Sequence, residues 1–173
     1  MSAFTQAGLT KELRQGEILT GLIQYEFDPV AEQGIPNTHP FAMIVHQDCD
    51  LLWDFNKRAE GKPPIINSIL LVELHVPDKE NMAKSNSVWE QLVKNKQERW
   101  HFLHSSTANS KDKLPDLIAD FRRLFTMRPT EIYRQIQKGG TQRQCVLDIP
   151  YREHFQSRFA YYLQRVALPD VEK

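Results

Sequence analysis

The stretch IINSILLVELHV, residues Ile65–Val76, is the clearest strand in the chain. It is rich in β-branched and aliphatic residues, it is closed by Pro77-Asp78, and it is too short to cross a membrane as a helix. Other apolar stretches precede and follow it in hairpin-like succession, without long helices between them. This succession predicts an α+β domain with an antiparallel sheet rather than a doubly wound one.

Four further strands are predicted around this one, because their residues alternate or are rich in β-branched and aromatic types. They lie within Leu13–Phe27, His39–Leu51, Trp100–His104 and Asp116–Thr126. Segments rich in Pro, Gly, Asn, Ser or Lys predict loops at Pro29–Pro40, Asn56–Pro64 and Ser105–Lys113. Short helices are predicted from the capping box at Ser87 to Arg99, over Thr130–Gln137, and from Tyr151 to about Ala167.

The size and charge of the chain indicate a single domain, residues 1–173, with no general attraction to nucleic acid. Its 22 Lys and Arg residues equal its 22 Asp and Glu residues, so any binding of nucleic acid must come from a local basic patch. No apolar run near Met1 resembles a signal peptide or a membrane span, and two distant cysteines are typical of reduced thiols. We therefore expect a cytoplasmic protein without a membrane partner or a cofactor.

The predicted strand His39–Leu51 ends in a polar cluster of His46, Asp48, Cys49 and Asp50. In a strand, His46, Asp48 and Asp50 share one face and Cys49 points to the other. One His and two carboxylates suit a divalent metal, but along a straight strand they spread over about 13 Å, too far for one ion. We therefore expect no metal site and interpret the cluster as a polar strand end that orders a turn or contacts a partner.

Cys49 is the candidate nucleophile of this cluster. A catalytic thiol needs a nearby cation or a helix N-terminus, whereas the two neighbours of Cys49 are aspartates, which raise the pKa of a thiol. A His distant in sequence, such as His75 or His101, would reverse this effect by packing alongside. The sequence favours an inert thiol and leaves its spatial neighbours open.

The densest basic stretch is interleaved with aromatic residues. The residues that we predict to contact a partner protein or single-stranded RNA are Arg122, Arg123, Arg128, Tyr133 and Arg134. Arginine binds phosphates and aromatic rings stack on unpaired bases, which is how single-stranded RNA is often held. The alternative is a charged face whose arginines pair with carboxylates or with a partner protein.

Residues 150–168 predict an amphipathic C-terminal helix with one aromatic face. That face carries Phe155, Phe159, Tyr162, Leu163 and Val166. A face this apolar either packs over an open side of the sheet or forms the interface of a homodimer. The segment also resembles a C-terminal helix in a group of uncharacterised bacterial proteins with a Cys-Asp-Leu strand end, here Cys49-Asp50-Leu51.

The order of elements over residues 13–137 resembles the MazF/PemK-like toxin domain. The matching segments are Arg14-Gln15-Gly16-Glu17-Ile18, His39-Pro40 where the family has Arg-Pro, the strand Ile65–Val76, and Asp116–Thr126 leading into Thr130–Gln137. The resemblance implies a small SH3-like barrel with an inserted helix, on which the helix of residues 150–168 packs. It also implies a role in a bacterial toxin–antitoxin or defence-type system.

Two positions depart from this family. Members that cleave RNA use the arginine of Arg-Pro and a Thr or Ser at the end of the long strand, and these places hold His39 and His75 here. The loss of both residues favours a protein that binds a protein or RNA partner without catalysis. The alternative is a metal-independent endoribonuclease in which His39 and His75 act as base and acid and Arg122 stabilises the phosphorane charge.

Overall fold

The computed structural model describes residues 4–6, 10–105 and 114–164. These residues form seven strands and five helices. In chain order they are β1 (Phe4–Gln6), β2 (Glu17–Asp28), β3 (Gln33–Ile44), α1 (Asp48–Ala59), β4 (Ile69–His75), α2 (Lys79–Met82), α3 (Asn86–Val93), β5 (Trp100–Leu103), β6 (Leu117–Met127), α4 (Pro129–Gln137), β7 (Gln142–Leu147) and α5 (Tyr151–Leu163). None of the helices in this described part of the chain is long and apolar enough to cross a membrane.

All seven strands belong to one antiparallel sheet with the order β1-β7-β2-β3-β4-β6-β5. The prediction of an α+β fold with an antiparallel sheet is therefore confirmed. Among the described strands, β1 and β5 form the two edges and do not pair with each other, so the sheet is not closed. The closed barrel that the family resemblance implies is not confirmed.

Helices cover both faces of the sheet. Neighbouring residues of its central strands point in opposite directions, so each central strand contributes side chains to two cores, one on each face. Met43 of β3 belongs to one core, which α5 covers with Phe155. The adjacent Ile44 belongs to the other core, which α1 and α4 cover with Leu51 and Ile132. Burial on both sides explains why the central strand β4 is a nearly continuous apolar run in the sequence.

The predicted loop Pro29–Pro40 is wrong, because β3 already begins at Gln33. Residues 29–32 form the turn of a long hairpin that joins β2 to β3. The distal part of β3 is exposed, so it carries no apolar alternation that would distinguish it from a loop.

The predicted strand His39–Leu51 ends at Ile44, and helix α1 follows from Asp48. The polar cluster is therefore not a strand end: Asp48, Cys49 and Asp50 form the first helical turn, and His46 precedes it. Carboxylates are favoured in a first helical turn because they face unpaired backbone N–H groups and the positive end of the helix dipole. This local preference outweighs the apolar run that precedes the cluster.

The predicted loop Asn56–Pro64 is helical as far as Ala59. Its basic residues Lys57 and Arg58 lie in the last turn of α1, where the helix dipole favours cations. Acidic residues at one end and basic residues at the other were thus a helix signal in this sequence.

The other predicted strands and helices are confirmed with shifted bounds. The helix predicted to Arg99 ends at Val93, and β7 was not predicted. The C-terminal helix is confirmed as far as Leu163, whereas residues 165–168 lie outside the described residues. Most of the predicted loop Ser105–Lys113 also lies outside them.

Gly21 and a bulge in β6 are two of the local irregularities in the sheet. Gly21 in β2 has φ +69°, and a Cβ there would lie 2.7 Å from the carbonyl oxygen of Gly140, so only glycine fits this close approach. In β6, the residues between Ala119 and Leu124 form a bulge, because β4 pairs with β6 in two different registers on either side of it. The second irregularity creates the surface described next.

Candidate functional site

The bulge in β6 turns two arginines outward. Leu74 pairs with Ala119 and Val72 pairs with Leu124, so the four residues 120–123 stand opposite the single residue Glu73. Extra residues in one strand bend it and redirect its side chains. Arg122 and Arg123 project from this bend with side chains that are 58% and 59% exposed.

Asp120 is the centre of the charge network on this bulge, and it is 2% exposed. Its carboxylate accepts a hydrogen bond from Arg99 Nε at 2.8 Å, a second from Arg99 Nη2, and one from the backbone N–H of Arg122 at 3.1 Å. Burial alone would raise the pKa of Asp120, but these hydrogen bonds lower it below its usual value. The carboxylate is therefore ionised at neutral pH and positions Arg99.

The same carboxylate is also near the Arg122 side chain, whose Nε lies 3.7 Å from Asp120 Oδ1. One negative charge thus faces two guanidinium groups, and the second of them is largely in solvent. Arg123 is paired separately, since its Nη1 lies 3.0 Å from Glu73 Oε2. The local excess of positive charge sits on Arg122.

Aromatic side chains border these arginines. The guanidinium carbon of Arg99 lies 3.9 Å from the ring centroid of Trp100, which is within cation–π range. His75 approaches the same indole edge-on, with 5.9 Å between the ring centroids. Burial, and then the Arg123 guanidinium, lower the pKa of His75, so its imidazole is neutral at pH 7.

A pocket of about 570 Å³ opens beside Arg99 and Arg122, and α5 closes its other side with Tyr162 and Leu163. We call the surface around it the Arg122 surface: the exposed Arg122, Arg123 and Leu163 and the half-buried Arg99, Trp100 and Tyr162. Guanidinium groups beside aromatic rings can hold a phosphate together with a planar base.

His39 does not belong to this surface. It is 4% exposed, and its ring stacks on Phe125 with centroids 3.9 Å apart and planes inclined by 7°. Its Nε2 lies 3.3 Å from Gln24 Oε1, and burial lowers the pKa of the imidazole. The structure thus places His75 against Trp100 and near Arg123, and it holds His39 on a different aromatic ring, that of Phe125.

The predicted basic set is divided in two. Arg122 and Arg123 lie on the β6 bulge, whereas the rest of the set lies on or just before α4. Arg128 is the exposed N-cap residue of that helix, and Arg134 donates from Nε to Glu131 Oε2 at 2.8 Å. The hydroxyl of Tyr133 accepts a hydrogen bond from the backbone N–H of Leu13, and burial raises its pKa.

The start of α1 forms a second charged cluster, around Asp48. This carboxylate accepts hydrogen bonds from Arg14 Nε at 3.2 Å, from the backbone N–H of Gln15 at 2.6 Å, and from Arg152 Nη1 at 2.7 Å. Burial alone would raise the pKa of Asp48, but the hydrogen bonds from Arg14 and Gln15 lower it. We call Arg14, Asp48 and Arg152 the Asp48 cluster.

The remaining polar residues at this end of α1 lie beside that cluster. His46 Nε2 is 3.8 Å from Asp50 Oδ2, and the exposed Cys49 thiol is 3.7 Å from Gln47 Oε1. Among the residues that the structure describes, no group of three or more His, Cys, Asp or Glu side chains is placed to hold a metal ion.

Two residues of the Arg122 surface, Arg99 and Trp100, and the buried Asp120 beneath it were not selected from the sequence. Arg99 reads as part of a charged helix end, and its neighbour Trp100 reads as one large residue of an alternating strand. The available signal was Asp120, because a carboxylate between apolar residues of a strand needs a cationic partner once it is buried. Arg99 is that partner.

Comparison with known proteins does not place the chain in a family. No protein-family model matches it, and no curated protein matches it. The Arg122 surface and its contacts therefore carry the functional conclusion.

Proposed function

We propose that this protein binds single-stranded RNA through the Arg122 surface and does not cleave it. The observation that carries this proposal is the sharing of one buried carboxylate, Asp120, by Arg99 and Arg122. Arg99 is fixed by two hydrogen bonds, whereas Arg122 keeps its side chain in solvent, where it can contact a phosphate. Phosphate contacts dominate the affinity of proteins for nucleic acid.

The aromatic residues of the same surface favour a single strand over a duplex. Unpaired bases stack on aromatic rings and on guanidinium planes, whereas paired bases are already stacked on each other. Trp100 lies against the Arg99 guanidinium, and Tyr162 lines the pocket together with Arg99 and Arg122. We expect a base that adjoins a phosphate on Arg122 to stack on one of these planar groups. Each base that stacks on an aromatic ring contributes about 1–3 kcal/mol.

We further propose that the fold is a MazF/PemK-like, SH3-like barrel and that the protein acts in the bacterial cytoplasm, in a toxin–antitoxin or defence-type system. The order of elements over residues 13–137 supports this proposal. The bulge at residues 120–123 supports it too, because a bulge bends a strand and helps to curl a sheet toward closure.

Cleavage of RNA by His39 and His75 is the alternative. General acid–base catalysis needs both groups within hydrogen-bond reach of one scissile phosphodiester. His39 stacks on Phe125 and His75 packs against Trp100, and burial lowers the pKa of both imidazoles, which disfavours the protonated acid. These contacts favour binding without cleavage.

Binding is tested by fluorescence anisotropy with a labelled, mixed-sequence RNA of about twelve nucleotides, a length within the range held by single-strand binding modules. We expect Arg122→Ala to weaken binding about tenfold and to reduce the slope of log K against log salt by about 0.7, since one phosphate contact is lost. Arg134→Ala is the matched control, because Arg134 is also exposed but lies on α4 and pairs with Glu131. Equal losses in both variants, or no binding at low salt, contradict the proposal.

Cleavage is tested separately, on the same RNA followed by gel electrophoresis. Intact RNA after incubation with the wild-type protein, with and without chelator, supports binding alone. Cleavage by the wild type that disappears in a His39→Ala/His75→Ala double variant supports the alternative.

A further inference from the structure

One edge of β2 changes its neighbour along its length. β7 pairs with this edge only as far as Thr20. At Ile23 the side chain of Gln135 takes the place of a strand: its Oε1 accepts a hydrogen bond from the Ile23 N–H at 2.9 Å, and its Nε2 donates one to the Ile23 carbonyl oxygen at 2.7 Å. Beyond Ile23, no other described strand pairs with β2 on this side. We call this side of residues 24–28 the free edge.

The pairing of the hairpin shows which residues point to the free edge. In an antiparallel pair, every second residue exchanges both backbone hydrogen bonds with its partner, and the residues between point outward. Ile23 points outward, because it bonds Gln135, and so Tyr25 and Phe27 point outward too. The partner of Tyr25 is Pro36, which lacks an N–H and cannot exchange two hydrogen bonds, so it requires the same alternation. The N–H and C=O groups of Tyr25 and Phe27 thus form a row of four backbone groups on the free edge.

The opposite edge of the hairpin is less suited to a further strand. Pro36 is one of the outward residues of β3, since it pairs with Tyr25, and it offers no N–H. Proline at such a position blocks the addition of a strand to an edge. Residues 24–28 of β2 contain no proline. Of the two edges, that of β2 can therefore accept a strand.

The two faces beside the free edge differ in chemistry. Tyr25 and Phe27 share one face, and they are 62% and 70% exposed. Glu26 and Asp28 share the opposite face, and residues 22–39 contain no Lys or Arg. A strand laid along this edge contacts an aromatic face with every second side chain and an acidic face with the others.

We propose that the free edge of β2 binds an extended peptide segment of a partner protein by strand addition, and that this segment alternates apolar with basic residues. Backbone hydrogen bonds to Tyr25 and Phe27 supply affinity, and the alternate side chains supply specificity. The apolar side chains pack beside the two aromatic rings, and a basic side chain lies opposite Glu26.

The β2 edge of a second copy is a poor occupant of this site. The register that pairs Tyr25 of one copy with Phe27 of the other places the two Glu26 carboxylates directly opposite each other. Like charges in such positions are destabilising. A short added strand is also smaller than the interface of a stable dimer, so we expect a transient complex with a dissociation constant of about 10–100 µM.

The proposal is tested with a labelled synthetic peptide, Lys-Val-Lys-Val-Lys-Val-Lys with blocked termini, added to the full chain and followed by fluorescence anisotropy. RNA is absent, so the result does not depend on RNA binding. We expect saturable binding. The matched control peptide carries N-methylated valines, which keep the charge and the apolar side chains but remove the N–H groups that face Tyr25 and Phe27. It should bind about tenfold more weakly, since it leaves backbone acceptors unpaired.

A charge reversal tests the acidic face. Glu26→Lys should weaken binding of the unmodified peptide about tenfold, because it places like charges opposite each other. Glu32→Lys is the matched control, since it makes the same change of charge in the turn between β2 and β3, outside the free edge. It should weaken binding by less than about threefold, because the charges are farther apart and screened by salt.

Amide hydrogen exchange, followed by NMR, locates the added strand. The N–H groups of Tyr25 and Phe27 should exchange about tenfold more slowly when the peptide is bound. Those of Gln24 and Glu26 already face β3 and should change less. Absence of saturable binding, equal binding of the two peptides, equal losses in the two variants, or unchanged exchange at Tyr25 and Phe27 overturns the proposal.

Discussion

Two carboxylates of this protein each face two arginines, but the two clusters differ in what they leave exposed. Asp48 accepts hydrogen bonds from both Arg14 and Arg152, and the Arg152 side chain is only 18% exposed. Asp120 accepts two hydrogen bonds from one arginine, Arg99, and Arg122 stays 3.7 Å away with more than half of its side chain in solvent. Aspartate thus holds both of its arginines by hydrogen bonds from their side chains in the first cluster, and only one of them in the second.

The difference follows from the elements that each carboxylate joins. Asp48 links the segment before β2, the start of α1 and the start of α5, so its arginines are occupied by holding the chain together. Asp120 lies inside a bulge of one strand, and its hydrogen bonds from Arg99 are enough to compensate for the burial of its carboxylate. We conclude that the Asp48 cluster supports the fold and that the Asp120 network leaves a cation available for a ligand.

The largest effect is expected for Asp48→Ala. The substitution leaves Arg14, Arg152 and the Gln15 N–H without their shared acceptor, and it should lower the free energy of unfolding by about 3 kcal/mol. Urea denaturation at pH 7 measures this loss. RNA affinity of the folded variant should be unchanged. A loss below about 1 kcal/mol would show that this cluster is no stronger than an exposed ion pair.

A smaller effect is expected from His101, which lies beneath α5 and makes the free energy of unfolding depend on pH. His101 is 3% exposed and lies against Phe155, with 5.0 Å between ring centroids. Burial, with the charge of Arg158 and then of His154, lowers the pKa of His101 to about 3. The folded state therefore excludes a proton that the unfolded chain binds below pH 6.5.

The sign of this dependence follows directly. The contribution of His101 is fully present above pH 6.5 and is lost as the pH falls toward 3, by about 2 kcal/mol between pH 6.5 and 5. His101→Phe should flatten that part of the stability curve. The carboxylates of both clusters act only at lower pH, since their pKa values lie below 3.8. An unchanged slope in the variant would assign the acid sensitivity to another group.

The third effect concerns affinity. Asp120→Asn removes the negative charge that faces Arg99 and Arg122 while keeping the shape of the side chain. We expect it to raise RNA affinity about fivefold at low salt, close to 1 kcal/mol, and to lower stability. Asp48→Asn is the matched control and should leave affinity unchanged. If both substitutions raise affinity equally, a general change of net charge explains the result.

The sequence predicted the elements whose side chains are buried in a regular pattern. Ile69–His75 and Leu117–Met127 lie within or almost within their predicted ranges, because packing selects apolar residues there. The distal part of β3 was read as a loop, since residues exposed on both faces carry no such pattern. The start of α1 was predicted to be a strand end. Asp48, Cys49 and Asp50 are compatible both with the polar end of a strand and with the first turn of a helix, so the sequence alone did not separate the two.

The candidate site could be predicted only in part. The sequence showed Arg122 and Arg123 as a basic pair. The direction in which their side chains project depends on a bulge that no local sequence motif predicts. The contact between Arg99 and Asp120 joins residues 21 positions apart in the chain, so it depends on the pairing of β5 with β6. Spacing along the sequence could not separate Arg122 from Arg134, which the fold places on different elements.

The smallest effect is expected at the two thiols. Cys49 is exposed at the start of α1, whereas burial raises the pKa of Cys145 to about 12. An aromatic disulfide reagent should therefore modify one thiol of the native protein and two after unfolding in denaturant, as measured by absorbance. Cys49→Ser should abolish the native reaction.

RNA affinity should be unchanged by this modification, because Cys49 lines a pocket with Asp48 and Arg152 and is not part of the Arg122 surface. Loss of RNA binding in the modified protein would contradict the assignment of the Asp48 cluster to the fold and of the Arg122 surface to RNA binding. It would mean that the ligand also reaches the start of α1, and that the Asp48 cluster belongs to the binding surface as well as to the fold.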